Sequence, residues 1–349
     1  MDLKARVGLK YLWLLILLCQ PGWADVPNLK VQTFNAYGPI YAREVSSRTM
    51  GLVKVLESQS IDVIGFQEVW NDDHFQDLKT GLNVPAQHGS WIDFDIDSFH
   101  RNGLKMLTQG EILRWESFPY PINKDGILDE VRDLFGVIKS IGMAWINHRE
   151  VGNILVVNTH THPMSVEIRL SQIIFLADAV NRSLNGMDHL IVMGDFNATP
   201  DSTEYQLLRS LLQLKDAYVE VHGSHKDACT YCKSNTYYWG GGNRTIDFIF
   251  YRSLGPKELK ITKADINLKS FNNRPLSDHY GVYAEFSLME QETAPSNKQL
   301  AAGIVEKTLK ILSKNPAKFK KPIKVLTDLK KKKGHQEAQN NGPISRKNL

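Results

Sequence analysis

The stretch H-L-I-V-M-G-D-F-N-A-T-P-D-S, residues 189–202, carries most of the information about the fold. Its first residues are almost all apolar, which is the pattern of a strand buried on both faces. The polar residues Asp195 and Asn197 follow where such a strand would end. Ser202 then has the position of a helix N-cap, with Glu204 in the first turn. A buried strand that leads through polar residues into a helix is typical of layered α/β proteins.

Apolar runs and helical periodicity continue on both sides of this stretch. Strands and helices alternate in the first part of the chain, and strands dominate the later part. This order predicts an α/β (α+β) sandwich of two packed β-sheets flanked by helices. Strands are predicted at residues 31–34, 61–66, 103–107, 140–146, 153–159, 189–193, 245–251, 261–268 and 282–288, and helices at residues 43–58, 168–184 and 202–212.

Polar side chains recur where the predicted strands end. A polar residue there is costly to bury unless something uses it, so their recurrence predicts one shared site. Carboxylates and amides are ligands that Mg²⁺ prefers, and histidines act as acids, bases or phosphate clamps. The pattern therefore indicates metal-assisted hydrolysis of a phosphate ester. The residues concerned are Asn35, Gln67, Glu68, His160, Asp195, Asn197, Asp247, Asp278 and His279.

Six short segments occur in an order that resembles one known superfamily. They are T-F-N (33–35), F-Q-E-V-W (66–70), V-N-T-H (157–160), G-D-F-N-A-T-P-D-S (194–202), T-I-D-F-I-F (245–250) and L-S-D-H-Y-G-V (276–282). The resemblance is to the endonuclease/exonuclease/phosphatase superfamily, which includes deoxyribonuclease-I-like nucleases and neutral sphingomyelinases. It covers residues 26–289 and implies a four-layer sandwich with two mixed β-sheets.

The resemblance also implies a metal site and a phosphate site. Glu68 resembles the principal Mg²⁺ ligand, helped by Asn35, and Asp278 would support the metal or its waters. Mn²⁺ or another divalent cation stays open as the physiological ion. Lys139 precedes a predicted strand, at a place where sphingomyelinases tend to carry a lysine near the substrate phosphate.

The remaining residues that match the motifs would carry the catalytic roles. Asp195 would orient or deprotonate the attacking water, and Asn197 would hold a phosphate oxygen. His279 is similar to the second histidine of the family, paired here with Asp247. His160 matches the other histidine, which binds phosphate or protonates the leaving oxygen. Water would then attack phosphorus in line.

The substrate class stays open between lipid and nucleic acid. A sphingomyelinase-like phospholipase C is favoured by residues 214–220, which resemble the corresponding stretch of neutral sphingomyelinases. The aromatic run Y-Y-W (237–239) before three glycines would either enter a lipid interface or form a cluster inside the fold. The alternatives are a secreted deoxyribonuclease-I-like endonuclease and a phosphatase of phosphoinositides or small esters. A membrane-binding module without activity would not need two histidines and four acids.

Both ends of the chain differ from the predicted catalytic domain at residues 25–290. Residues 1–24 have the charged start, short apolar run and small residues of a cleavable signal peptide, which predicts a secreted or periplasmic protein. Cys229 and Cys232 are then expected to form a local disulfide. Residues 291–349 form a basic, Lys-rich extension that leaves the body acidic although the chain has a net charge of +4. We expect this extension to be partly solvated, or to contact an anionic membrane surface.

Overall fold

The computed structural model describes residues 28–39, 41–82, 89–97, 101–124, 138–290 and 302–340. The predicted signal peptide lies outside these residues. Within them, no helix is both long enough and apolar enough to cross a bilayer.

The first sheet has six strands in the order β11-β14-β1-β2-β4-β3. β1 and β2 are parallel, whereas β1 pairs with β14 and β2 with β4 in antiparallel fashion, so the sheet is mixed. Residues at the end of β1 and β2 therefore reach the same edge. The strands are β1 (Asn28–Asn35), β2 (Val63–Gln67), β3 (Ser90–Asp93), β4 (Lys105–Thr108), β11 (Lys257–Asn267) and β14 (Gly281–Glu290).

The second sheet also has six strands, in the order β5-β6-β7-β8-β10-β9. β7 and β8 are parallel and β8 and β10 antiparallel, so this sheet is mixed as well. A short hairpin forms a separate pair. The strands are β5 (Glu111–Pro119), β6 (Ser140–His148), β7 (Gly152–His160), β8 (His189–Asp195), β9 (Lys215–Asp216) and β10 (Asp247–Ser253), and the hairpin is β12 (Ser270–Phe271) with β13 (Arg274–Pro275).

The main core lies between the two sheets. Val31 and Phe286 of the first sheet pack in one fully buried cluster with Val156 and Ile191 of the second. Helices cover the outer faces and complete the layers, as predicted from the sequence. They are α1 (Val45–Glu57) and α2 (Asp72–Gly81) on the first sheet, α3 (Val166–Ser183) and α4 (Thr203–Leu212) on the second, and the short α5 (Ala217–His222).

Two C-terminal helices, α6 (Ala302–Leu312) and α7 (Lys320–Asn340), belong to the apolar cluster on the outer face of the second sheet. Val305, Leu312, Phe319 and Leu326 are almost fully buried in the cluster that holds the apolar faces of α3 and α4. They recur every seven residues, so an amphipathic chain can present them all to one surface. Burial of each stabilises the fold by roughly 1.5–3 kcal/mol. The structure thus differs from our expectation of a solvated extension, since residues 302–331 complete the domain.

Candidate active site

Strand register brings the predicted residues to one edge of the sandwich. His160 ends β7 and lies directly opposite Asp195 at the end of parallel strand β8. Asp247 begins β10 and is paired with Asp195 from the other side. Asn35 ends β1 in the facing sheet. Because these positions end or begin β1, β7, β8 and β10, four separate segments meet at a single point.

Asp195 occupies the centre of this group and is only 1% exposed. Its Oδ2 accepts a hydrogen bond from Asn35 Nδ2 at 3.1 Å and lies 3.4 Å from His160 Nε2 and 3.8 Å from His279 Nε2. Its Oδ1 accepts a hydrogen bond from the Asn197 backbone N–H at 2.9 Å. The carboxylate is therefore held by hydrogen bonds from both sheets, and it faces both histidines.

His279 is oriented by Asp247. Its Nδ1 lies 2.9 Å from Asp247 Oδ2, which leaves Nε2 directed towards Asp195. The ring of Tyr231 packs against the imidazole with centroids 4.9 Å apart. Cys229 and Cys232 flank this tyrosine and form the predicted disulfide. A carboxylate on one ring nitrogen fixes the tautomer and leaves the other nitrogen for chemistry.

Burial and mutual charge shift the acidities of this group. Burial, together with the charge of Asp247, raises the pKa of Asp195 to about 7 despite the opposing charge of His279. Burial would lower the pKa of His279, but the carboxylates of Asp247, Asp278 and Asp195 outweigh it and hold that pKa well above its usual value. Such shifted pairs are suited to proton transfer near neutral pH.

The buried carboxylates of the site fit a divalent cation. Asp195, Asp247 and His279 each have one polar atom within 4.8 Å of the others, and Asp247 Oδ1 has no hydrogen-bond partner among the described residues. Burial, with Glu68 nearby, raises the pKa of Asp278 to about 6 against the effect of His279. Burial disfavours the charged form of these carboxylates, and a bound cation would stabilise that form.

The predicted metal ligands are distributed around this tight group and are not members of it. Asn35 bonds directly to Asp195. Glu68 is partly exposed, with Oε1 3.9 Å from His160 Nε2. Asp278 accepts a hydrogen bond from Ser277 Oγ at 3.2 Å. The structure thus brings all three close to the buried group, and their role as ligands remains a prediction.

Lys139 also lies in the site. Its Nζ is 2.9 Å from both ring nitrogens of His160 and 5.5 Å from the centre of the Trp70 ring. Asn197 follows the end of β8, and its side-chain amide donates to Thr161 O at 3.2 Å. A lysine, a histidine and an amide at one edge can together surround a phosphoryl group.

The backbone is strained where the site is built. Glu68 and Asn197 have positive φ values of 60° and 47°. A left-handed conformation costs a residue with a side chain roughly 1–2 kcal/mol. Gly194 has a φ of 140°, and a Cβ there would lie 1.9 Å from the Thr159 carbonyl oxygen. The glycine before Asp195 therefore permits the close approach of β7 and β8 that places His160 beside Asp195.

Arg48 is a site-building residue that the sequence patterns did not reveal. It is 4% exposed, and its guanidinium donates to the carbonyl oxygens of Ala36, Tyr37 and Leu276. These lie directly after Asn35 and directly before Ser277, whose Oγ donates to Asn35 O at 2.6 Å. An arginine on the otherwise apolar face of helix 43–58 was the available signal.

Two other polar residues near the site have structural roles. Gln67, which we had grouped with the site, is fully buried and donates to Thr33 Oγ1 and Asn158 Oδ1 between the sheets. His162 is buried, and its Nδ1 accepts hydrogen bonds from the backbone N–H groups of Met164 and Ser165. Both therefore hold backbone and side chains in place near the site.

A model of the Endonuclease/Exonuclease/phosphatase family matches residues 33–279. The chain belongs to this family. The match spans every predicted site residue from Asn35 to His279, and it confirms the resemblance seen in the six segments.

Relatives and solved structures agree with this assignment. The chain is 24% identical over 280 residues to human Sphingomyelin phosphodiesterase 2, covering 74% of this chain and 64% of that protein. It is 24% identical over 204 residues to Inositol phosphosphingolipids phospholipase C of Schizosaccharomyces pombe, covering 56% of this chain and 47% of that protein. The chain thus spans less than two thirds of either relative.

Three solved structures share the fold. An endonuclease/exonuclease/phosphatase from Bacteroides vulgatus matches with a TM-score of 0.57 at 22% identity, covering 75% of this chain and 99% of that one. SmcL matches with a TM-score of 0.56 at 16% identity, and Danio rerio TDP2 complexed with single strand DNA product with 0.58 at 16%; each covers 74% of this chain and 99% of its own. They confirm the predicted two-sheet sandwich.

Proposed function

We propose that this protein is a Mg²⁺-dependent phosphodiesterase of the sphingomyelinase-like phospholipase C type. The observation that carries the proposal is the convergence of His160 and His279, from two separate segments, on the buried carboxylate of Asp195. Its two named relatives are a sphingomyelin phosphodiesterase and an inositol phosphosphingolipid phospholipase C, which supports a sphingolipid substrate.

The residues divide into those that position the phosphate and those that move protons. Lys139, His160 and Asn197 bind the phosphoryl oxygens at the edge of the second sheet. Asp195 takes the proton of the attacking water, since its raised pKa of about 7 suits a general base. The water oxygen bonds to phosphorus, and the bond to the leaving oxygen breaks. His279, which its raised pKa keeps protonated, supplies the proton to that oxygen.

His279 has a second part in this scheme. Its pair with Asp247 keeps the imidazole positively charged, and Nε2 faces the place where negative charge develops. Asn35, Glu68 and Asp278 would hold the divalent cation. When bound, this cation supplies positive charge to the phosphoryl oxygens.

A nuclease is the second candidate. The fold is shared with a TDP2 structure that contains a single strand DNA product. Against this candidate, the acidic body repels a polyanion, and polynucleotide binding rewards lysine and arginine near the cleft.

We also propose that the protein is exported through the signal peptide predicted at residues 1–24. The disulfide between Cys229 and Cys232 supports an oxidising compartment, because disulfides are rare in the cytosol.

Purified protein should be incubated with Mg²⁺ and, separately, with sphingomyelin in detergent micelles and with plasmid DNA. We expect release of phosphocholine without nicking of DNA, and loss of activity in EDTA. His279→Ala should lower turnover by about 10³-fold or more. His222→Ala is the matched control, because His222 is an exposed histidine on α5. Nicking of DNA without phosphocholine release would reject the lipid assignment in favour of the nuclease.

A further inference from the structure

Three large apolar side chains are largely exposed to solvent. Trp239 is 91% exposed, Tyr41 76% and Met164 75%, the highest values among the large apolar side chains that the structure describes. They come from three loops that are distant in sequence. Single exposed apolar residues are ordinary, but the three extreme cases are all connected to site residues through one or two contacts.

Trp239 is anchored next to His279. Its backbone N–H donates to Tyr231 Oη at 3.1 Å, and Tyr231 Oη donates back to the Trp239 carbonyl at 2.7 Å. The Tyr231 ring packs on His279 with centroids 4.9 Å apart. The main chain of the loop is thus fixed to the site while the indole itself points into solvent.

The other two residues are tied to the site in the same way. The Met164 backbone N–H donates to His162 Nδ1 at 3.2 Å, two residues beyond His160. The Tyr41 ring meets the Tyr37 ring edge-on, with centroids 6.5 Å apart, and the Tyr37 backbone N–H donates to Asn35 Oδ1. Each exposed side chain is therefore one or two contacts from a residue that surrounds Asp195.

We propose that Trp239, Tyr41 and Met164 form a rim that inserts into the headgroup region of a phospholipid bilayer. This inference rests on the proposed function, because a lipid substrate would present its phosphate at headgroup depth. Asp195 is only 1% exposed and cannot reach out to a lipid phosphate, so the residues around the site would have to meet the bilayer surface. Tryptophan and tyrosine favour this depth because their rings are apolar with one polar atom.

The rim is a better candidate for the membrane-contacting surface than the C-terminal helices. The apolar residues Val305, Leu312, Phe319 and Leu326 of that segment are already buried against α3 and α4. Lysines on the outer face, such as Lys324, contribute only charge. The rim therefore predicts binding to neutral bilayers that persists at high salt, because apolar insertion is not screened.

The test compares a rim variant, Trp239→Ala with Tyr41→Ser and Met164→Gln, with a control variant, Leu113→Gln with Met289→Gln. Leu113 and Met289 are 51% and 43% exposed, and they lie near the opposite ends of their strands from the site. Binding to sphingomyelin–phosphatidylcholine vesicles is measured by co-sedimentation in EDTA and 0.5 M salt, roughly the range in which surface charge is screened. Hydrolysis is measured on the same vesicles and on a water-soluble phosphodiester.

We expect the rim variant to lose about tenfold or more in vesicle affinity, and its hydrolysis of vesicle lipid to fall about tenfold more than its hydrolysis of the soluble diester. The control variant should match the wild type in both. Vesicle affinity equal to that of the wild type, or an equal loss on both substrates, would overturn the rim. If the wild type cleaves the soluble diester and binds vesicles through the rim but releases no phosphocholine, the proposed substrate fails while the rim stands.

Discussion

Replacement of Gly194 by alanine tests how the two strands of the site are joined. The new Cβ would lie 1.9 Å from the Thr159 carbonyl oxygen, whereas ordinary contact begins at 3.4 Å. Strands β7 and β8 would therefore have to separate by about 1.5 Å, and His160 would move away from Asp195. Overpacking costs about 1–3 kcal/mol, and the disfavoured φ of 140° about as much again.

We expect Gly194→Ala to lower the free energy of unfolding by about 2–6 kcal/mol. Because a displacement of about 1 Å in a catalytic group costs about 10²-fold in rate, kcat should fall by at least that factor in the protein that remains folded. Gly186→Ala is the matched control, since Gly186 also has a positive φ of 76° but no atom within 4 Å of the added Cβ.

The control should lose only about 1–2 kcal/mol and keep its activity. Urea denaturation and kcat on a soluble phosphodiester measure both effects. Equal losses in the two variants would refute the claim that the close approach of β7 and β8 builds the site.

Three further predictions concern parts of the molecule outside the catalytic residues. Burial lowers the pKa of His189 to about 4, so its contribution to stability is present above pH 6.5 and is lost as pH falls towards 4. Between pH 7 and pH 5, the unfolding free energy of the wild type should therefore fall by about 2 kcal/mol more than that of His189→Leu. Parallel pH profiles of the two proteins would contradict this. Arg48→Lys keeps the positive charge, but the lysine cannot reach three carbonyl oxygens at once. Calorimetry should show weaker Mg²⁺ binding, and kcat should fall about tenfold or more. Unchanged Mg²⁺ affinity would exclude a positioning role for Arg48. Leu326→Ala should cost about 2–5 kcal/mol and Lys324→Ala less than about 0.5 kcal/mol by urea denaturation; equal, small effects would mean that the C-terminal helices are not part of the core.

Several elements could be predicted from the sequence because their signals are local. The run at residues 189–193 became β8, and the periodic segment at residues 168–184 became α3, with ends displaced by one or two residues. Strand β5 was missed because most of its residues are exposed to some degree, so no apolar run or alternation marks it. Helix α2 was missed because its ten residues include only a few buried ones.

The C-terminal segment shows a different limit of sequence reasoning. Its amphipathic character was visible, but an apolar stripe is equally suited to a membrane and to another helix. The choice was made by the apolar faces of α3 and α4, which end at Ser183 and Leu212, far earlier in the chain than Ala302. The same holds for the Y-Y-W run, in which Tyr237 and Tyr238 are half-buried while Trp239 alone faces solvent.

The sequence by itself determined the family, the layered α/β architecture and the identity of the polar residues at strand ends. These depend on residue type and spacing along the chain, which are read directly. Only the tertiary structure decided that Asp195 bonds to Asn35, that Arg48 joins the segments before Ser277 and after Asn35, and that Trp239, Tyr41 and Met164 are exposed. Those relations join residues up to 228 positions apart, and they are created by strand register and the packing of one sheet on the other.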